Sequence, residues 1–289
     1  MEQPLIDLTE LICDSINSIF FKFFSSIDNT IYSNLDSILF INSDITNNLK
    51  FQQFFGTDSS NGLLIIVNSL TIVLVLFYAL NFVVSHLIYN KVDSPYQFIF
   101  KCIIFISCAN SSFWICKQAI NLVSIVTQLI QDIGYNVTGY EINFSTLINN
   151  INSALYTSLQ IFDIFTFDGI LKFCYCLGII YILLVYSIRY IMCIILILIS
   201  PFAFISLVNN RFDGFFTGWL KQFLSLLFAQ IFVSIVLVVG FCIDFTAGNV
   251  LSKLTYFALI AIIAKCHYNV KSIFSDIHNY SNNKLKDLI

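Results

Sequence analysis

Residues 170–208 read ILKFCYCLGIIYILLVYSIRYIMCIILILISPFAFISLV, an apolar run interrupted only by Lys172, Arg189 and the pair Ser200-Pro201. About 20 apolar residues suffice to cross a bilayer as a helix, because each residue rises 1.5 Å and the hydrocarbon core is about 30 Å thick. Runs of the same kind occupy 62–87, 98 to about 130, about 215–242 and about 250–264. Hydrophobic residues make up 58% of the 289 and charged residues only 11%. An ordinary globular chain carries about 25% charge, so too few charges remain to coat a soluble surface. The expected fold is all-α: a polytopic membrane protein of about five transmembrane helices, or six if the 170–208 run crosses twice, with an amphipathic N-terminal helix.

The rest of the chain arranges itself around these runs. Residues 1–61 are expected to be an extracytoplasmic segment. In it Leu5, Leu8, Ile12, Ile16, Ile19 and Phe23 keep the 3–4 spacing of one helical face, and Asp7, Glu10 and Asp14 lie on another. Such a helix suits a membrane surface or a partner subunit. From Asn42 to Gly62 the Asn, Asp, Ser and Gly content reads as a loop. Residues 62–130 form a first two-span hairpin that turns at Asn90–Pro95, with Asn110, Ser111 and Ser112 as a polar midsection of its second run. Residues 131–169 are an acidic extracytoplasmic connection holding Asp132, Glu141, Asp163 and Asp168 and no Lys or Arg. Leu147, Ile151, Leu155 and Leu159 recur there every four residues and predict a further amphipathic helix. Residues 170–264 are the C-terminal membrane core and 265–289 a cytoplasmic tail.

Charge sets the expected orientation. Lys91 and Lys101 place the first hairpin turn in the cytoplasm, and Lys265, Lys271, Lys284 and Lys286 hold the tail there too. The N-terminal segment and the acidic connection then lie outside the plasma membrane. An outer N-terminus and an inner C-terminus require an odd number of spans, so the 170–208 run is expected to cross once, leaving Arg211 on the cytoplasmic side.

Several function classes have nothing to stand on. The net charge of −3 gives no general affinity for nucleic acid. Most of the nine cysteines sit inside apolar runs, where Cys acts as a small hydrophobe. Cys174-Tyr-Cys176 has no second ligand pair, and His86, His267 and His278 show no ligand spacing. Phosphate-loop and hydrolase motifs are missing. No enzyme activity, cofactor or metal is expected. Met1–Pro4 lacks the cationic stretch of a secretory signal, so no cleaved leader is expected. The sequons Asn136-Val-Thr138 and Asn143-Phe-Ser145 read as chance matches.

Polar residues within the apolar runs are the candidate functional positions. Arg189 supports two readings, a charge facing a pore or subunit interface and an anchor that snorkels to the headgroups. Lys117 is either a pore-facing cation or the mark of an outer helix end. Pro201 should kink or break its helix, as a hinge or as a static bend. Gly218, Gln222, Ser225 and Ala229 share one helical face, a small and polar stripe suited to helix–helix contact or to a channel lining.

Three stretches carry a resemblance to a known family. They are Ser25-Ser26-Ile27-Asp28-Asn29-Thr30-Ile31-Tyr32 within the N-terminal segment, Ser94-Pro95 leading into the second run, and Arg189 followed by Ile199-Ser200-Pro201-Phe202-Ala203-Phe204, then Phe216, Trp219-Leu220-Lys221, Phe223 and Gln230. The chain resembles the TrbL family, the polytopic inner-membrane subunit of type IV secretion and conjugative transfer systems, in its Gram-positive form. The order of elements is similar over nearly the whole chain, although the long hydrophilic C-terminal extension of some relatives is missing. The resemblance implies a membrane channel or scaffold subunit, present as a homo-oligomer in contact with membrane lipid. It further implies work alongside other secretion-channel subunits and cytoplasmic ATPases, and transient contact with the translocated DNA–protein substrate. Taken with the small and polar stripe, the candidate interface or channel positions are Arg189, Pro201, Gly218, Trp219, Lys221, Gln222 and Ser225. The alternatives from the residues alone are a small-solute transporter and a structural membrane protein without a pore.

Overall fold

The computed structural model describes residues 3–41, 44–56, 62–88, 94–155, 165–208, 212–243 and 250–286. Every regular element among them is a helix: α1 (Gln3–Leu39), α2 (Asp44–Asn47), α3 (Leu49–Phe55), α4 (Leu63–Ile88), α5 (Pro95–Asn110), α6 (Ser112–Thr138), α7 (Phe144–Leu155), α8 (Phe167–Ser206), α9 (Asp213–Phe241) and α10 (Val250–Lys286). The protein is therefore an all-α polytopic membrane protein. Among the described residues, four stretches are long and apolar enough to cross a bilayer: Leu63–Ser85, Ser112–Thr138, Phe167–Ser206 and Gly214–Phe241. The expected fifth, Val250–Ala264, is helical as the opening of α10. Its 15 residues rise only about 22 Å, less than a hydrocarbon core.

Three local rules explain where the helices start and stop. Ser94 caps α5, its Oγ accepting from Gln97 N at 3.4 Å with Pro95 at the first position, where a missing N–H costs nothing. The second expected run, 98–130, is not one helix but two, parted at Ser111. Asn110 Nδ2 donates to Ile106 O at 3.0 Å and Ser112 Oγ to Ala109 O at 2.7 Å, so side chains compete for carbonyls of the last turn of α5. The stretch Asn42–Gly62, expected as a loop, contains α2 and α3. Asn48 Oδ1 caps α3 through Lys50 N, and Gly56 closes it at φ 97°, a left-handed conformation that glycine adopts without a Cβ penalty.

The 170–208 run forms the single helix α8, 40 residues and about 60 Å along its axis. It does not reverse, as a single crossing requires, and Pro201 does not break it. The expected tail boundary after Ala264 falls inside α10. Lys91, Asp163, Leu159 and Arg211 lie outside the described residues.

The chain divides into two compact units. The first comprises Met1–Phe40, Ile125–Arg189 and Phe228–Val270, the second Ile41–Ser124, Tyr190–Leu227 and Lys271–Ile289. In the first, α1 runs beside α8 in the same direction: Phe20 meets Phe173 edge-on at 5.8 Å near one end, and Leu39 meets Arg189 at the other. α7 runs back against α1 and buries Phe144, Leu147, Ile148 and Ile151, of which Leu147 and Ile151 belong to the expected four-residue repeat. The latter half of α1 thus packs within the chain through Phe24, Ile27, Leu35 and Leu39, while Leu8, Leu11, Ile12 and Ile19 on its first half stay exposed. The expectation of a surface-lying amphipathic helix therefore fits only that first half. Close backbone approach shapes the same unit: a Cβ on Gly134 of α6 would lie 2.7 Å from Val238 Cγ2 of α9 and 2.8 Å from Ile142 Cγ1.

In the second unit, α4 and α5 form an antiparallel pair. Val67 clusters with Ala109 and Ile205, and nearer the turn Tyr78 stacks on Phe98 at 3.6 Å with 3° between the rings. α3 docks on the start of α6 through Phe55 and Phe113, 5.0 Å apart.

Two glycines separate packing from propensity. Gly134→Leu should destabilise the protein by about 1–3 kcal/mol through overpacking. Gly218→Ala, where nothing lies within 4 Å of the added Cβ, should stabilise α9 by about 0.5–1 kcal/mol. Thermal unfolding of the detergent-purified protein reads both, and equal shifts of the same sign would contradict the packing described.

Candidate functional site

Polar groups buried in a membrane protein are stabilised by partners, and in the first unit Arg189 meets a helix end. Arg189 is among the largest fully buried side chains. Its Nη1 donates to Leu39 O at 3.0 Å. Leu39 is the last residue of α1, so its carbonyl is one of those a helix leaves without an internal partner, and it sits at the negative end of the helix dipole. A guanidinium suits both needs. The Tyr186 ring, one turn earlier on α8, lies 5.3 Å from the guanidinium carbon. The Tyr186 hydroxyl donates to Ile263 O of α10 at 2.9 Å.

The complementary charge sits three residues back on α1. Asp36 accepts from Phe144 N at 2.7 Å and Ser145 N at 3.3 Å, the free amides that open α7. Asn143 joins it, Oδ1 accepting from Thr146 N at 2.6 Å. A carboxylate at a helix N-terminus and a cation at a C-terminus are the two favourable placements on helix dipoles, and both occur at the end of α1, with Asp36 of α1 on α7 and Arg189 of α8 on α1. Lys172, the other cation of the 170–208 run, is also buried. Its ammonium donates to Asn152 Oδ1 of α7 and lies 5.8 Å from the centre of the Phe24 ring. Of the two readings of Arg189, the snorkelling one expected a head group reaching polar headgroups; the side chain instead ends inside the chain, on α1.

In the second unit, Pro201 and Trp219 come together. Proline has no N–H, so the carbonyl four residues earlier, that of Ile197, loses its helical partner. Ser200 Oγ donates to that same carbonyl at 2.7 Å. Trp219 Nε1 donates to the neighbouring Leu196 O at 2.8 Å. The indole is held by a run of rings: Phe204 at 5.6 Å, Phe216 at 5.7 Å and Phe223 stacked at 5.4 Å and 7°. Ser200 thus serves the carbonyl that the proline frees, and Trp219 ties α9 to the same turn. Beyond it the last turn tightens, with Leu207 N bonded to Phe204 O and Val208 N to Ile205 O.

The remaining candidates follow Trp219 along α9. Gly218 is exposed, Lys221 and Gln222 are half-buried and Ser225 is buried. Ser225 Oγ has no hydrogen-bond partner among the described residues. The expected stripe therefore passes from open to enclosed along the helix, and a Cβ at its Gly218 end would have nothing within 4 Å among the described residues. Lys117 is half-buried, its ammonium donating to Asn47 Oδ1 of α2 at 3.0 Å.

Reading the sequence by type and spacing missed Asp36, Tyr186 and Lys172. A signal existed for part of this: Asn143 followed by the periodic Phe144, Leu147 and Ile151 is a helix start, and its asparagine is a cap. Compared with protein-family models, with curated proteins and with solved structures, the chain matches none.

Two substitutions test these networks. Arg189→Met keeps the volume but leaves Leu39 O without its donor, and should cost about 2 kcal/mol. Trp219→Phe keeps an aromatic body and removes only the N–H, and should cost about 1 kcal/mol. Denaturant unfolding of the detergent-solubilised protein measures both; wild-type stability in either variant would remove that network from the account.

Proposed function

We propose that the chain is a channel or scaffold subunit of a conjugative type IV secretion system, helping to move a DNA–protein substrate across the plasma membrane. The observation that carries this reading is the pairing of the two stretches on which the family resemblance rests most. Ser200-Pro201-Phe202-Ala203-Phe204 and the Phe216–Phe223 helix start, on the successive helices α8 and α9, pack through the Trp219 indole into one module. Ser200 and Trp219, one from each stretch, donate to neighbouring carbonyls of α8, which supports reading the two stretches as one element.

A second observation supports assembly into an oligomer. Apolar side chains on α8 stay exposed from Ile170 through Leu177, Tyr181, Leu184, Ile188 and Ile191 to Ile195. That flank runs about 38 Å along the helix, longer than the hydrocarbon core of about 30 Å. Neighbouring subunits would cover what lipid does not.

In this reading the N-terminus is extracytoplasmic and the C-terminus cytoplasmic. Four spans alone would put both ends on one side, so the orientation requires α10, which continues past its apolar opening to Lys286, to cross as a fifth. The partners are further copies of the chain, other channel subunits and cytoplasmic ATPases, with transient contact to the substrate.

An in-frame deletion in the native host should abolish conjugative transfer while leaving relaxase nicking intact, and a plasmid copy should restore it. Undiminished transfer in the deletion strain would end the proposal. Reporter fusions at residues 60 and 289 should report opposite sides of the membrane, and the same side for both would overturn the orientation.

A further inference from the structure

A cavity of about 320 Å³ opens in the second unit, lined by Ile45, Asn48, Lys50, Phe51, Phe54, Tyr190 and Ile194. That volume lies at the lower end of the range of small-ligand sites, about 300–1,000 Å³. Its composition is divided. Ile45, Phe51, Phe54 and Ile194 give it apolar walls, while Lys50, Asn48 and Tyr190 bring an ammonium, an amide and a phenol to it, with no acid in the lining. A second cation stands close by, since Lys117 donates to Asn47 Oδ1, one residue from the lining Asn48. The outer surface of α3 is amphipathic in the manner of an interfacial helix: Leu49 and Phe54 are exposed beside the exposed Lys50.

From this we propose that the cavity is a binding site for one anionic phospholipid, with the phosphate at Lys50 and Tyr190 and an acyl chain along Phe51, Phe54 and Ile194. Charge complementarity selects the anionic head, because the lining is cationic and free of acids. The apolar walls select a ligand with a chain rather than a free phosphate. The protein's own solvent supplies such molecules at high local concentration, and lysines near the membrane surface draw anionic lipid. The inference rests on the membrane location and the cavity, and stands apart from the secretion reading.

The test is native mass spectrometry of the full-length protein in detergent, titrated with palmitoyl-oleoyl phosphatidylglycerol or with the matching phosphatidylcholine. The wild type should retain one phosphatidylglycerol in preference to phosphatidylcholine. Lys50→Gln should lower that retention about fivefold, the loss expected for one lysine at a membrane surface. Lys22→Gln, an exposed lysine on α1, should leave it unchanged. Phe54→Ser should weaken retention without altering the charge. Equal retention by Lys50→Gln and wild type, or equal binding of the two lipids, overturns the site. Displacement of the lipid by millimolar glycerol 3-phosphate shows a phosphate site with no use for the chain, and displacement by an oligothymidine shows a nucleic-acid site; either overturns the lipid assignment.

Discussion

The hydrogen bond from Arg189 to the carbonyl of Leu39 is the constraint around which the first unit is organised. A full charge inside a membrane protein is expensive unless it meets a partner that also lacks one. No acid lies within the apolar runs to serve, and the end of a helix does: it concentrates about half a negative charge on carbonyls that have no internal donor. Each side of the pair is costly alone, which fixes where α1 stops relative to α8. Tyr186 extends the link to α10, and Asp36 answers it with the opposite charge at the opposite kind of helix end. Four helices are thereby set by side chains on two.

The second unit solves a different problem with similar means. Proline in a helix leaves a carbonyl bare and pushes its neighbours aside, and water cannot repair the loss at membrane depth. The serine before the proline supplies a hydroxyl, and the tryptophan of the next helix supplies an indole N–H to the adjacent carbonyl. The turn that the serine repairs is thus also the joint between α8 and α9. Any function that needs these two helices to hold a fixed relation has its clamp at that point.

Much of the fold was legible because apolar runs declare themselves. The four spanning helices follow from hydropathy, and the Leu147 and Ile151 part of the buried face of α7 from its four-residue spacing, whereas the continuity of α8 through Pro201 did not. What spacing could not give is who satisfies whom. Arg189, Pro201 and Trp219 stood out by residue type, and the reading left Arg189 divided between a pore and a headgroup. Its actual partner, a backbone carbonyl far upstream, leaves no trace in composition, because every residue has one. The break at Ser111 was visible as a polar midsection but not as a helix end, since that depends on side chains taking carbonyls from the ladder. α2 and α3 were lost for a related reason: their asparagines and glycine are turn formers in isolation and caps in place.

The span between Leu39 and Arg189 in the chain, 150 positions, has a consequence for how the protein is made. A ribosome adding roughly 5–20 residues per second completes α1 some 8–30 seconds before the side chain that finishes it emerges. Asp36 likewise waits for α7, whose first amides lie 108 positions later. During biogenesis the N-terminal helix is a guest without a host, its apolar face exposed and its end uncapped. The order of insertion therefore runs against the order of assembly: α1 is synthesised long before the residues that seat it, and it depends on the insertion machinery or the lipid surface for shelter until α8 arrives.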